Sequence, residues 1–149
     1  MRIRVKVFCI ISVLLGLIGS LVACAETHGV SEPEYAGAMT ESLLLAINED
    51  DYATFCEHLD ASLGASMTEP AFDELVTTTQ AEFGKYVSKE YKWKKKVGYF
   101  TQVNYDAEFS NGPDSAAIVK ISFHEVGGEM LISSFAVLSS EDAQAQITT

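Results

Sequence analysis

Three cysteines, three prolines and one tryptophan in 149 residues leave no material for a disulfide-dense scaffold, a proline-rich linker or a low-complexity repeat. Arginine occurs only at Arg2 and Arg4, and ten basic residues stand against 21 acidic ones, a formal charge of −11. A chain so poor in cations lacks the side chains that grip phosphates, so nucleic acid is excluded as a partner. There is also no glycine-rich phosphate loop, no nucleophile-elbow motif and no cluster of Cys or His. The three histidines, His28, His58 and His124, show neither the i, i+4 nor the i, i+2 spacing that metal ligands use, so no metal and no cofactor are expected. What remains is 48% hydrophobic and 21% charged, the composition of one acidic globular domain.

The apolar material is uneven. Arg2, Arg4 and Lys6 precede an apolar run from Val7 to Ile18, and Leu21-Val22-Ala23-Cys24 closes it, which is the layout of an export signal over residues 1–23. The closing tetrapeptide resembles the lipobox of bacterial and archaeal lipoproteins. That resemblance implies cleavage between Ala23 and Cys24, with Cys24 as the lipid-attachment site. The run from Val7 to Val22, broken by Ser12, Gly16, Gly19 and Ser20, falls short of the ~20 residues of a spanning helix. A secreted protein or an uncleaved anchor are the alternatives. Two acyl chains hold a soluble domain stably on a membrane, so the expected location is the outer face of a prokaryotic membrane. Residues 24–34, with Gly29, Ser31 and Pro33, form the lipidated N-terminus and a short tether.

Removing the signal discards Cys9 and commits Cys24, leaving Cys56 as a lone thiol in a helical pattern, where a small buried hydrophobe outweighs a nucleophile. The mature chain has 126 residues. Three of the ten basic residues and none of the acids leave with the signal, so its charge is −14.

Residues 35–138 read as one domain. Tyr35, Met39, Leu43, Leu44 and Ile47 follow helical spacing; Asp50 or Asp51 then caps a short second helix, Tyr52–Leu59. Ala61–Ser66 reads as a loop of small residues. The third helix starts at Thr68-Glu69-Pro70, carries a core stripe of Phe72, Leu75, Val76, Thr79 and Phe83, and stops at Gly84. Beyond Gly84 the period becomes two. Val103, Tyr105, Ala107 and Phe109 alternate with polar residues, including Asp106 and Glu108, which are expected to face water. The turn Asn111-Gly112-Pro113-Asp114 leads to Ala117, Val119, Ile121 and Phe123 in alternation with Ser122 and His124. Met130–Leu138 is apolar on both sides, which predicts a central or well-covered strand. Tyr86–Val97 is lysine-rich and reads as an edge strand, with Tyr91, Trp93 and Lys95 on one side and Lys92, Lys94 and Lys96 on the other. Residues 139–149 have no period and read as a flexible tail.

The expected fold is therefore α+β, with three N-terminal helices packed on a curved four-stranded antiparallel sheet. The helix break Ile47-Asn48-Glu49-Asp50-Asp51-Tyr52, the Pro70–Gly84 helix ending in Gly84-Lys85-Tyr86, and the strand pair Tyr99–Phe109 and Ala116–Phe123 resemble the nuclear-transport-factor-2-like (cystatin-like) superfamily. Within it they resemble a lipoprotein branch of bacteria and archaea known as a domain of unknown function. The resemblance implies a cone with a pocket between sheet and helices, in either an enzyme or a non-catalytic binding or dimerisation module.

Tyr52, His58, Tyr91 and Tyr105 are the pocket candidates, and His58 the one candidate base, set against a helix-end histidine with a local hydrogen bond. Two polar groups converging in a pocket would favour an acid/base enzyme of isomerase, dehydratase or hydrolase type; a pocket filled by aromatic and Met side chains would remove it. Six of the mature chain's seven basic residues, Lys85, Lys89, Lys92, Lys94, Lys95 and Lys96, fall in one stretch. They read as a solvated strand face or as a patch for an anionic surface or acidic partner. The expected function is a membrane-anchored, non-catalytic ligand-binding or interaction module, able to form a homodimer. A structural tether of an envelope complex is a further alternative.

Overall fold

The computed structural model describes residues 31–111 and 117–145; the signal sequence, Ala23, Cys24 and the turn residues Gly112, Pro113 and Asp114 lie outside the described residues. Helix α1 (Glu34–Glu49) ends where Asp50 takes a left-handed conformation, φ 58°. Of the two candidate caps, Asp51 is the one used: its side chain accepts from the Thr54 amide at 3.1 Å and starts α2 (Tyr52–Cys56). Residues 61–66, expected as a loop, instead form α3 (Ala61–Ser66), because the Asp60 carboxylate accepts from the Leu63 amide at 2.7 Å. Helix α4 (Glu69–Glu82) follows Thr68 with Pro70 in its first turn, and Gly84 at φ +84° ends it.

Four strands follow, β1 (Tyr86–Val97), β2 (Phe100–Phe109), β3 (Ala117–Val126) and β4 (Glu129–Ser139), paired antiparallel in the order β1-β2-β3-β4. The fold is thus α+β with an open four-stranded antiparallel sheet preceded by helices. Lysine-rich β1 is an edge strand, as its composition indicates. Strand β4, apolar on both sides, is the other edge. Its cover comes from the chain between α2 and α3: Leu59 bridges Ile132 in parallel, Asp60 N–H donates to the Ile132 carbonyl and Ile132 N–H to the His58 carbonyl, both at 2.8 Å. Helix α5 (Ser140–Ala145), in the segment expected to be a tail, lies against β4 and β3 and buries Ala143.

The predicted alternation holds in β3 and, apart from the buried Asn104, in β2: Val103, Tyr105, Ala107, Val119, Ile121 and Phe123 are buried and Asp106 and Glu108 exposed. These side chains, with Leu43, Leu44 and Ile47 of α1, Phe55 of α2, and Phe72 and Val76 of α4, form one buried cluster on the inner face of the sheet. In β1 the alternation breaks. The register jumps between Tyr91↔Tyr105 and Trp93↔Asn104, so Lys92 is an extra residue in a bulge and every later side chain changes face. Tyr91 therefore shares the inner face with Lys94 and Lys96, while Trp93 and Lys95 are on the outer face, contrary to uninterrupted alternation. Besides a further shift between Tyr86 and Ser88, a register shift opposite Ser122–Phe123 places Ser134 across from Ser122 and Ile132 across from Phe123, with Ser133 between them.

Candidate functional site

The outer face carries a cleft of about 560 Å³ lined by Asp60, Gln102, Ser122, His124, Ser133 and Ser134, with Val97, Phe100 and Ser62 at its walls. Register explains the assembly. Gln102, Ser122 and Ser134 are successive partners across β2, β3 and β4, and so form one row on one face. Phe100 and His124 stack, ring centroids 5.3 Å apart and planes within 16°.

Asp60 arrives from the β4 edge. Because Leu59 bridges Ile132 with its side chain toward the core, Asp60 points to the other side, where Oδ2 lies 3.2 Å from His124 Nε2. The contact is not an aligned hydrogen bond, for Nε2 has no hydrogen-bonding partner among the described residues. Asp60 is 8% exposed and spends its other oxygen on capping α3, so its position is set by a helix end and a strand bridge together. Ser133 donates to the Ser122 carbonyl at 3.2 Å. The side chains of Ser62, Ser122, Ser134 and Gln102 make no hydrogen bond among the described residues and are open to a bound molecule.

None of the four pocket candidates lines this cleft, and the four do not gather in one place. Tyr52 donates to the Met67 carbonyl at 2.8 Å. His58, a candidate base only if it faced the interior near Tyr91 or Tyr105, has its backbone bonded to β4, whereas Tyr91 is on β1 at the opposite edge of the sheet. Tyr91 and Tyr105 do meet, edge to face at 6.2 Å. Around them the inner face holds a second polar group: Tyr105 donates to Glu32 at 2.7 Å, Tyr86 donates to Glu41 at 2.8 Å, and Lys89 pairs with Glu41. The Tyr91 hydroxyl is buried without a partner. Burial, then the Glu41 carboxylate, pushes the Tyr86 phenol far above its usual range, and burial with Glu32 does the same to Tyr105. Burial alone would raise Glu41, but hydrogen bonds from Lys89 and Tyr86 outweigh it and hold Glu41 below the usual carboxylate range. The Tyr86–Glu41–Lys89 contacts brace α1 against β1.

The lysines are not one patch. Lys89 is turned inward onto Glu41, and Lys92 pairs with Asp106 at 2.9 Å and Glu90 at 3.4 Å. Lys85, Lys94, Lys95 and Lys96 form no ion pair among the described residues. Cys56 is a free, half-buried thiol packed on the core. Among the described residues no three His, Cys, Asp or Glu side chains come together as metal ligands, and no helix is long and apolar enough to cross a membrane.

Asp60 and Gln102 carried no signal in the sequence, and His124 read as a surface residue beside a turn. No local spacing joins them. No protein-family model and no curated protein matches the chain.

Proposed function

We propose that the protein is an exported lipoprotein, anchored through Cys24, whose domain binds a small polar molecule in the outer-face cleft without chemically changing it. The observation that carries the binding half is the row of unspent hydrogen-bonding groups, Gln102, Ser122 and Ser134, beside the Asp60–His124 pair and the Phe100 ring. A few placed polar groups against an apolar wall are the usual furniture of a ligand site. The anchor half rests on the n-region, apolar run and Leu21-Val22-Ala23-Cys24. The α+β order suits the cone of the nuclear-transport-factor-2-like superfamily, with the difference that aromatic side chains crowd the inner face and the open cleft is on the outer one.

A second reading, an acid/base enzyme, is favoured by one observation: a buried carboxylate and an imidazole converge in the cleft. Nucleophilic catalysis by serine gains no support, because His124 Nε2 has no hydroxyl partner and Ser133 directs its proton to a backbone carbonyl.

Native mass spectrometry of the protein, extracted from membranes in mild detergent, tests both halves. The expected result is a diacylglyceryl mass increment that Cys24→Ser abolishes, and a retained small molecule that is lost in Gln102→Ala/Ser134→Ala. A chain recovered bare in both forms would defeat the binding reading, and unchanged mass and membrane retention of Cys24→Ser would defeat the anchor.

A further inference from the structure

The end of the sheet that carries the β1–β2 turn combines three features. Val97, Tyr99 and Phe100 surround Gly98 and are all exposed, Tyr99 at 92%. Lys94, Lys95 and Lys96 precede them, and the bulge at Lys92 distributes these lysines over both faces, Lys94 and Lys96 inner, Lys95 outer. The N-terminal segment reaches the same end: Lys94 Nζ donates to the Ser31 carbonyl at 2.9 Å, and Pro33, Tyr35, Lys94, Lys96 and Thr101 line a groove of about 410 Å³.

We infer that this end docks on an anionic phospholipid surface, the turn entering the interface and the three lysines meeting phosphate headgroups. The inference rests on the anchor reading. Seven Cα-to-Cα steps lead from Cys24 to Ser31. At ~3.4 Å per step the contour caps the distance from Cys24 to Ser31 at about 24 Å, and Ser31 is held by Lys94, so the turn is kept within reach of headgroups. Charge selects the face. The mature domain is strongly acidic, and an anionic bilayer repels it everywhere except where unpaired lysines outnumber carboxylates. Near these lysines Glu32, itself exposed, has Oε1 engaged by the Tyr105 hydroxyl. The neighbouring β3–β4 turn carries Glu125 and Glu129, which tilt the contact toward the β1–β2 side. Aromatic rings with a polar tip, such as Tyr99, favour the headgroup layer, and lysine stems extend from it to the phosphates. Docked this way, Val97 and Phe100, which also wall the outer cleft, bring its mouth near the membrane surface.

The lipidated full-length chain, carrying Trp93→Phe and Tyr99→Trp so that its only indole is at the turn, is reconstituted in vesicles of phosphatidylcholine alone or mixed with phosphatidylglycerol. Brominated acyl chains then report depth by quenching. Strong quenching is expected only in the phosphatidylglycerol vesicles, falling to the phosphatidylcholine level in Lys94→Glu/Lys95→Glu/Lys96→Glu and, without any charge substitution, on raising salt. Quenching equal in both lipids, absent from both, or insensitive to salt would overturn docking while leaving the anchor intact. Protein that fails to float with either vesicle type at high salt marks failure of the anchor itself.

Discussion

The carboxylate of Glu32 occupies the space that a side chain on Gly37 would need: a Cβ built there would lie 2.7 Å from Oε1, the same oxygen that accepts the Tyr105 hydroxyl. The glycine, in the first turns of α1, thus gives up helix propensity so that the segment before the helix can fold back onto the sheet. Glu32 is the far end of a flexible side chain, so a methyl at residue 37 displaces the carboxylate rather than the helix. In Glu32→Ala, Gly37→Ala is expected to stabilise by about 1 kcal/mol, the ordinary Gly-to-Ala gain in a helix. With Glu32 present the same change forfeits a charge-assisted hydrogen bond worth ~1.5–3 kcal/mol, so the sign reverses. Denaturant unfolding of the four chains measures the cycle; equal effects in both backgrounds would show that the Glu32–Tyr105 bond is not coupled to Gly37.

Tyr86 and Tyr105 both donate to carboxylates in a buried setting, and both phenols are raised above their usual range. A raised folded-state pKa contributes stability that is whole below the unfolded value, about 10 for tyrosine, and is lost as pH climbs from there toward the folded value. Spectrophotometric titration is expected to show Tyr86 and Tyr105 ionising only with cooperative unfolding. Tyr105→Phe and Tyr86→Phe would each remove part of the alkaline loss of stability. Ionisation of all six tyrosines in one transition without unfolding would refute the burial of these hydroxyls.

Helix ends and β2–β3 alternation were legible because each depends on residues close in sequence: Asp51, Pro70 and Gly84 for the helices, and the run Val103 to Phe109 for the strand. What could not be read depends on partners distant in the chain. Helix α3 has no apolar stripe and exists through the Asp60 cap. The face change after Lys92 is a property of the β1–β2 pairing, since a bulge leaves no mark in the alternation of either strand alone. Strand β4 looks central because its cover is supplied by the 58–60 bridge and by helices. The candidate site is invisible for the same reason: Asp60 and His124 meet only because Leu59 pairs with Ile132.

Gly84 is a second position where backbone geometry decides. It ends α4 at φ +84°, and a Cβ there would collide with the side chains of Ser110 and Asn111, which close the β2 end onto the helix. A residue with a side chain is strained in this conformation, at about 1–2 kcal/mol before any clash. Gly84→Ala is expected to destabilise by at least that amount, with the additional cost relieved in Ser110→Gly. A change below 0.5 kcal/mol in thermal or denaturant unfolding would contradict the left-handed conformation.

Asp60 serves the fold and the cleft through different oxygens, Oδ1 on the Leu63 amide and Oδ2 beside His124, so its two roles can be separated chemically. Asparagine keeps an oxygen for the cap but carries no charge for the imidazole; alanine keeps neither. Loss of an N-cap costs ~1 kcal/mol, so Asp60→Ala is expected to fall below Asp60→Asn in stability by about that amount. Ligand retention should follow the other role. If the carboxylate orients His124 for binding, Asn and Ala reduce retention of the co-purified molecule equally despite their different stabilities. Retention that instead tracks stability, wild-type for Asn and reduced for Ala, would mean that Asp60 is a helix cap alone and that the cleft binds without it.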